Sequence, residues 1–261
     1  MTVSTGSTSG FGIDIGGSGI KGCPVDVVTG VFTAERVRTP TPSPSTPPAV
    51  ATVVAEIVAS FGHAAGTGPV GVTFPAVIQH GVARTAANVD KSWIDTDVER
   101  LLRHALGRPV TVLNDADAAG YAEAKFGAAK GVSGTVFMAT LGTGIGSAVI
   151  VDGVLVPNTE LGHLEVDGRD AETRAADSAR ERENLTWQQW AKRLTRYFQS
   201  IERLLWPDLI VVGGGVSKKV DKFLPLLDIR TPIVPSQLRN DGGIIGAALL
   251  ATERSPAVAT G

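Results

Sequence analysis

The sequence predicts an α/β protein of two related halves, and three observations carry that expectation. A glycine-rich loop stands between two strand-like runs near the start, Phe11 to Gly22 (FGIDIGGSGIKG). A second stands between two more runs in the middle, Leu141 to Ser147 (LGTGIGS). After each loop the pattern passes from paired strands to an alternation of strand and helix, as in sheets that carry helices on their faces. In each loop a short apolar run meets glycines and a hydroxyl residue, and β-branched residues then return as a second strand. The tip of such a hairpin exposes backbone N–H groups and hydroxyls, a concavity suited to phosphate oxygens. Neither loop ends in the Gly-Lys-Ser/Thr of a Walker A motif, which sets that family aside.

The first loop returns along a strand from Gly19 to Asp26, and a further run, Val31 to Val37, follows the Thr29-Gly30 turn. The proline-rich stretch Thr39 to Pro48 reads as an extended connection into a helix over Ala49 to Phe61. Val70 to Thr73 is a buried strand, and Thr96 to Leu106 shows helical periodicity with Asp95 as the expected N-cap. Val110 to Leu113 is a strand followed at once by Asn114-Asp115 and an alanine-rich helix to Phe126. Strands over Gly134 to Leu141 and Ile145 to Val151 flank the second loop, and Thr186 to Leu205 forms a long amphipathic helix. Leu209 to Val212 is a strand running into three glycines, with a helix expected after Ser217 and a closing helix over Gly242 to Thr252. The expected domains are 11–113, with helix 241–252 packing back on it, and a larger 114–240. Ligands in such sheets sit beyond the carboxyl ends of strands, so the expected architecture is two α/β domains around a central cleft.

Composition bounds the function. A chain of 261 residues, 43% hydrophobic and 19% charged, can bury an ample core. No apolar run reaches the roughly 18 residues that span a bilayer, and the first ten residues lack a signal-peptide pattern. With Cys23 as the single cysteine, an internal disulfide and a multi-cysteine zinc site are excluded. The expected location is therefore cytoplasmic, with no membrane partner. Net charge is −2, yet Thr186 to Arg239 holds 9 Lys+Arg against 4 Asp+Glu, a balance of +5. That stretch is either a solvated helix face or an attraction for a polyanion.

Five strings in order and spacing resemble the actin-like sugar kinases of the ROK group. They are Asp14 to Gly22, Leu113 to Asp117 (LNDAD), Leu141 to Gly146, Glu160 to His163 (ELGH) and Pro207 to Lys219 (PDLIVVGGGVSKK). With the closing helix they span Gly12 to about Ala248. The resemblance implies the duplicated actin-like ATPase (ribonuclease H-like) fold. Within the group the chain is most similar to the actinobacterial polyphosphate/ATP-dependent glucokinases, including the type that also accepts mannose. Typical ROK members follow Glu-x-Gly-His with a zinc-binding cysteine cluster, whereas this chain has Leu164 to Glu172 without cysteine. Zinc is therefore not expected, and His163 is released for sugar contact. The ten polar residues before Phe11 leave no room for the helix-turn-helix of ROK repressors, so no nucleic-acid partner is expected.

Phosphoryl transfer needs an aligned hydroxyl, a base for its proton, and donors for charge on the moving group. The resemblance makes Asp115 the base; read from the residues alone, a helix N-cap is the rival role. Asn114 can donate to and accept from a sugar hydroxyl. Glu160 and His163, three apart, face one way if helical and suit vicinal sugar hydroxyls. Glu172 stands for the family's second sugar glutamate, and Asn88 is a further sugar candidate. Gly16, Gly17, Ser18 and Lys21 on the first loop, with Gly142, Thr143 and Gly144 on the second, are expected to hold phosphates. Gly214 and Gly215 would bound an adenine pocket. By resemblance Asp14 helps place Mg²⁺, through water. Lys130, Lys192, Lys218 and Lys219 are candidates for a polyphosphate track. The implied reaction is phosphoryl transfer from polyphosphate or ATP to the 6-hydroxyl of glucose, with mannose as a second candidate acceptor and a homodimer as the expected assembly. A strictly ATP-dependent glucokinase, a non-catalytic sugar-sensing regulator and a chaperone-like ATPase are the competing readings.

Overall fold

The structure is a computed structural model that describes residues 9–86 and 89–255. It divides into two compact units, one reaching to Ala122 and resuming at Asp241, the other Glu123–Asn240. The division falls inside a helix, because the first turns of α3 (Asp115–Phe126) pack with the first unit and its end with the second.

In the first unit, β1 (Ser9–Ile15) and β2 (Ile20–Asp26) form an antiparallel hairpin, extended at the edge by β3 (Val31–Phe32) and β4 (Val37–Thr39). Helix α1 (Pro47–Ser60) follows, started by prolines whose fixed φ suits a first turn. Strand β5 (Val70–Phe74) then pairs parallel with β1, the small hairpin of β6 (Ile78–Gln79) and β7 (Val82–Ala83) intervenes, and α2 (Val98–Leu106) leads to β8 (Val110–Asn114), parallel to β5. The sheet order is β3-β2-β1-β5-β8. Phe11, Ile13, Val54, Val72, Phe74 and Trp93 are fully buried in its core, each worth about 1.5–3 kcal/mol of transfer free energy.

The second unit repeats this plan. Strands β9 (Thr135–Leu141) and β10 (Ile145–Val151) form the hairpin and β11 (Val154–Val156) extends it. A short hairpin of β12 (Glu165–Val166) and β13 (Arg169–Asp170) leads into α4 (Ala171–Ala175), α5 (Asp177–Arg182) and the long α6 (Trp187–Leu205). Strands β14 (Leu209–Gly213) and β15 (Ile233–Pro235) run parallel to β9, giving the order β11-β10-β9-β14-β15. Every residue of β5 and of β14 is buried, as parallel strands covered on both faces require. Trp190, Tyr197, Phe198 and Phe223 fill the core, and the Trp190 indole donates to Ala175 O at 3.0 Å. The helix tryptophans Trp187 and Trp190 thus pack with Phe223 in the core of this unit.

The closing helix α7 (Gly242–Arg254) packs on β1, β5 and β8. A Cβ at Gly12 would meet the Ile244 carbonyl, and one at Gly71 the Ala247 carbonyl. Glycine at both places lets the helix backbone lie directly on the strands.

Two local expectations are corrected. Helix α2 begins at Val98, capped by Asp97, whose carboxylate accepts from Arg100 N–H at 2.8 Å. Asp95, the expected cap, instead has φ of 59° and binds Arg84 at 2.7 Å; its chain turns too early to reach the helix. After the glycines, Gly215–Lys222 is a run of 3₁₀ turns broken at Lys219, and not an α-helix.

Candidate active site

In the first loop, Gly16 N–H bonds Gly19 O at 3.1 Å and closes the turn between β1 and β2. Arg38 on β4 donates to Ser18 O at 2.9 Å, and the Thr41 hydroxyl donates to Gly16 O. The carbonyls are tied down while the N–H groups of Gly17 and Ser18 have no acceptor among the described residues. Arg38 carried no motif signal; its place opposite Lys21 comes from strand pairing alone.

Asp14, at the end of β1, is held on both oxygens. Buried Thr73 on β5 donates to Oδ1 at 2.9 Å, and Lys21 to Oδ2 at 2.7 Å. Lys21, expected on a phosphate, is ion-paired with Asp14. The carboxylate keeps further lone pairs, which fit the waters of a hydrated Mg²⁺. With Lys21 already neutralising it, direct coordination fits less well.

At the β8–α3 junction, Asn114 and not Asp115 performs most of the capping. Asn114 Oδ1 accepts from Ala116 N–H at 2.8 Å and Asp117 N–H at 3.2 Å, while its amide donates to Ala76 O at 3.2 Å. Its oxygen is thereby committed to the helix start, leaving one N–H for a ligand. Asp115 accepts from Ala116 N–H at 2.9 Å and its side chain is exposed to solvent.

The second loop closes like the first. Gly142 N–H bonds Gly144 O at 3.0 Å, and Ser178 at the start of α5 donates to Gly142 O through its N–H and to Thr143 O through its hydroxyl, at 3.1 and 2.6 Å. The N–H groups of Thr143 and Gly144 are left without an acceptor among the described residues. Ser178 was not foreseen, since nothing in the sequence joins it to a loop 35 positions away. Glu172 on α4 lies against Gly144 and accepts from Ile145 N–H at 2.8 Å. It braces the loop as well as standing near Glu160 and His163. Gly214, with φ of 83°, packs its backbone on Leu141, a conformation and a closeness that only glycine tolerates. Gly215 has open space around it.

Glu160 precedes a single 3₁₀ turn, Leu161–His163, in which positions three apart eclipse. His163 Nδ1 bonds Asp170 Oδ2 at 2.8 Å, and Asp170 is a partner the sequence did not mark. That hydrogen bond, ahead of the fields of Glu172 and Glu160, raises the His163 pKa above its ordinary value. Desolvation raises that of Glu160, with Glu172 adding and His163 opposing. Such a cluster of perturbed groups is the kind found at functional sites. Lys130, Lys192, Lys218 and Lys219 are all exposed, the last two in the 3₁₀ run after β14 and Lys192 on α6. Asn88 lies outside the described residues.

Each unit thus holds a strand hairpin, parallel strands on one side of it and a donor-rich loop at its tip, which defines the class: a duplicated actin-like ATPase fold of the sugar-kinase type. The chain belongs to the ROK family, whose sequence profile matches residues 10–176. It is 56% identical over 241 residues to the polyphosphate glucokinase of Mycobacterium tuberculosis (strain CDC 1551 / Oshkosh), covering 92% of this chain and 90% of that one. The crystal structure of the inorganic polyphosphate/ATP-glucomannokinase from Arthrobacter sp. strain KM matches with a TM-score of 0.90 and 56% identity, over 95% of this chain and all (100%) of that one. A ROK family glucokinase from Streptomyces griseus shares the fold at a TM-score of 0.81 and 24% identity, over 94% of this chain and 99% of that one.

Proposed function

We propose that the chain transfers a phosphoryl group from inorganic polyphosphate or ATP to the 6-hydroxyl of glucose, giving glucose 6-phosphate. The observation that carries the reading is the pair of similar loops, one per unit, each with its carbonyls tied back and two N–H groups without an acceptor among the described residues. Donors so arranged neutralise charge on phosphate oxygens without reorganising during the reaction. Similarity to a polyphosphate glucokinase and to a polyphosphate/ATP-glucomannokinase supports the donor and acceptor, and the second of those names supports mannose as a further acceptor.

In this reading Asp115 accepts the proton of the 6-hydroxyl as the oxygen bonds to phosphorus, and the donor departs with the bridging oxygen. Asn114 carries most of the helix cap beside the solvent-exposed Asp115 carboxylate. Glu160 and His163, the latter oriented by Asp170, bind the remaining sugar hydroxyls, and Glu172 shapes the second loop beside them. Asp14 would hold a hydrated Mg²⁺ through its waters, and the ion would supply further neutralisation of the phosphates. Lys218 and Lys219 face solvent after β14 and attract a long polyanion; a homodimer is the proposed assembly.

The test is turnover with ATP and with long-chain polyphosphate at saturating glucose, in the native chain and in Asp115→Asn. Both donors should support glucose 6-phosphate formation, and the substitution should lower kcat by about 10²–10⁴-fold with glucose affinity kept. Turnover with ATP alone would reduce the protein to an ATP-dependent glucokinase. A variant retaining most of its kcat would remove Asp115 from the chemistry.

A further inference from the structure

In the second unit a cavity of about 360 Å³ opens between the β12–β13 hairpin, α4 and α6. That volume is in the range of small-ligand sites. Its walls carry five cations, Arg169, Arg174, Lys192, Arg193 and Arg196, against a single carboxylate, Asp167. Arg196 is paired with Asp167 and Arg193 with Glu183, each at 2.6 Å. The side chains of Arg169, Arg174 and Lys192 have no hydrogen-bond or ion-pair partner among the described residues. The net balance inside is positive. The Glu183 carboxyl is correspondingly held at about 2, by its bond to Arg193 first and with Arg174 contributing. Tyr197, part of the lining, is fully buried beneath these cations.

We propose that this cavity is an oligophosphate-binding site that anchors the donor chain away from the glycine loops. The guanidinium fork matches phosphate oxygens in pairs, and Lys192 adds a point charge. One phosphate cannot neutralise three unpaired cations spread over a hairpin and two helices, whereas successive phosphates of one chain can. Nucleic acid fits poorly, because stacking on bases needs an exposed aromatic face and Tyr197 is buried. The elements that form the cavity also carry Asp170, which holds His163, and Glu172, which braces the second loop. The anchoring role rests on the polyphosphate reading above; oligophosphate binding in the cavity does not.

The two are separated by titrating tripolyphosphate calorimetrically into the full chain saturated with the ATP analogue AMPPNP, so that the loops are filled. The native chain should bind one further tripolyphosphate, weakening as salt rises. In R169A/R174A that affinity should fall at least about tenfold, since each lost charged hydrogen bond is worth a factor of that order. These two side chains have no hydrogen-bond or ion-pair partner among the described residues, and an unchanged melting temperature would establish that the variant is intact. Its ATP-supported turnover should match the native chain while its KM for long-chain polyphosphate rises about tenfold. Absence of the extra tripolyphosphate in the native chain, or equal binding by R169A/R174A, overturns the site. Tighter binding of glucose 6-phosphate than of tripolyphosphate overturns the oligophosphate assignment in favour of a monophosphate. Binding that depends on Arg169 and Arg174, in a protein that does not turn over polyphosphate, leaves the site standing and removes only the anchoring role.

Discussion

Asp170 shows how a single side chain sets the state of a neighbour. Its bond to His163 raises that imidazole's pKa, so the protonated form is favoured in the folded protein. A raised pKa gives stability that is fully present below the unfolded value of about 6.5 and is lost as pH rises through the folded one. In Asp170→Asn the His163 titration, followed by NMR of its ring carbons, should move down toward the ordinary value. The cost in stability should be larger at pH 6 than at pH 8, yet only about 0.5 kcal/mol, because both groups are partly exposed. A titration that does not move would mean that Glu160 and Glu172 set the charge of His163. Cys23 illustrates the opposite case. Burial pushes its thiol up to about 11, which fits its place as a small core residue on β2.

At the scale of elements, the seat of α7 on the first sheet depends on glycines in two neighbouring strands. A methyl group at Gly71 would occupy the space of the Ala247 carbonyl, where no side chain can rotate aside. Gly71→Ala should therefore cost about 1–3 kcal/mol, the usual range for overpacking, or more because backbone must move. Thermal unfolding of the variant beside Gly153→Ser, at an exposed turn with open space around it, measures this against the intrinsic strain of a positive φ. Equal losses in the two would show that α7 yields without cost. The hairpin loops follow a different logic, with carbonyls fixed by Arg38, Thr41 and Ser178 and N–H groups left without an acceptor among the described residues.

Across the whole molecule, metal dependence and donor choice are the measurable consequences. The zinc cluster of typical ROK members is absent from the sequence, and Asp170 fills the role of a side-chain partner to His163. Protein prepared without added metal should contain no stoichiometric zinc by elemental analysis, and removal of Mg²⁺ should stop turnover; one retained zinc per chain would contradict the first expectation. Replacing Lys218 and Lys219 with alanine should raise the KM for polyphosphate more than that for ATP, with the difference shrinking at high salt. Equal effects on both donors would place these lysines at the shared phosphate site.

The hairpin loops, the buried parallel strands and the Asn114-Asp115 junction were legible in the sequence, since each depends on local chemistry: glycine and hydroxyl spacing, continuous apolar runs, a polar pair at a strand end. Helix starts were less so. Asp95 and Asp97 are equally plausible caps by residue type, and only the backbone turn at Asp95 decides between them. The sequence by itself determined two α/β halves with matching loops and marked their ends as the place for phosphate chemistry. Only the tertiary structure decided which charges meet. It paired Lys21 with Asp14, set Asp170 on His163, turned Glu172 toward the second loop, and gathered Arg169, Arg174 and Lys192 around one cavity. The physical reason is range: periodicity and turn preference act over a few residues, whereas hydrogen bonds and ion pairs between distant segments exist only once strand register and helix packing have brought them together.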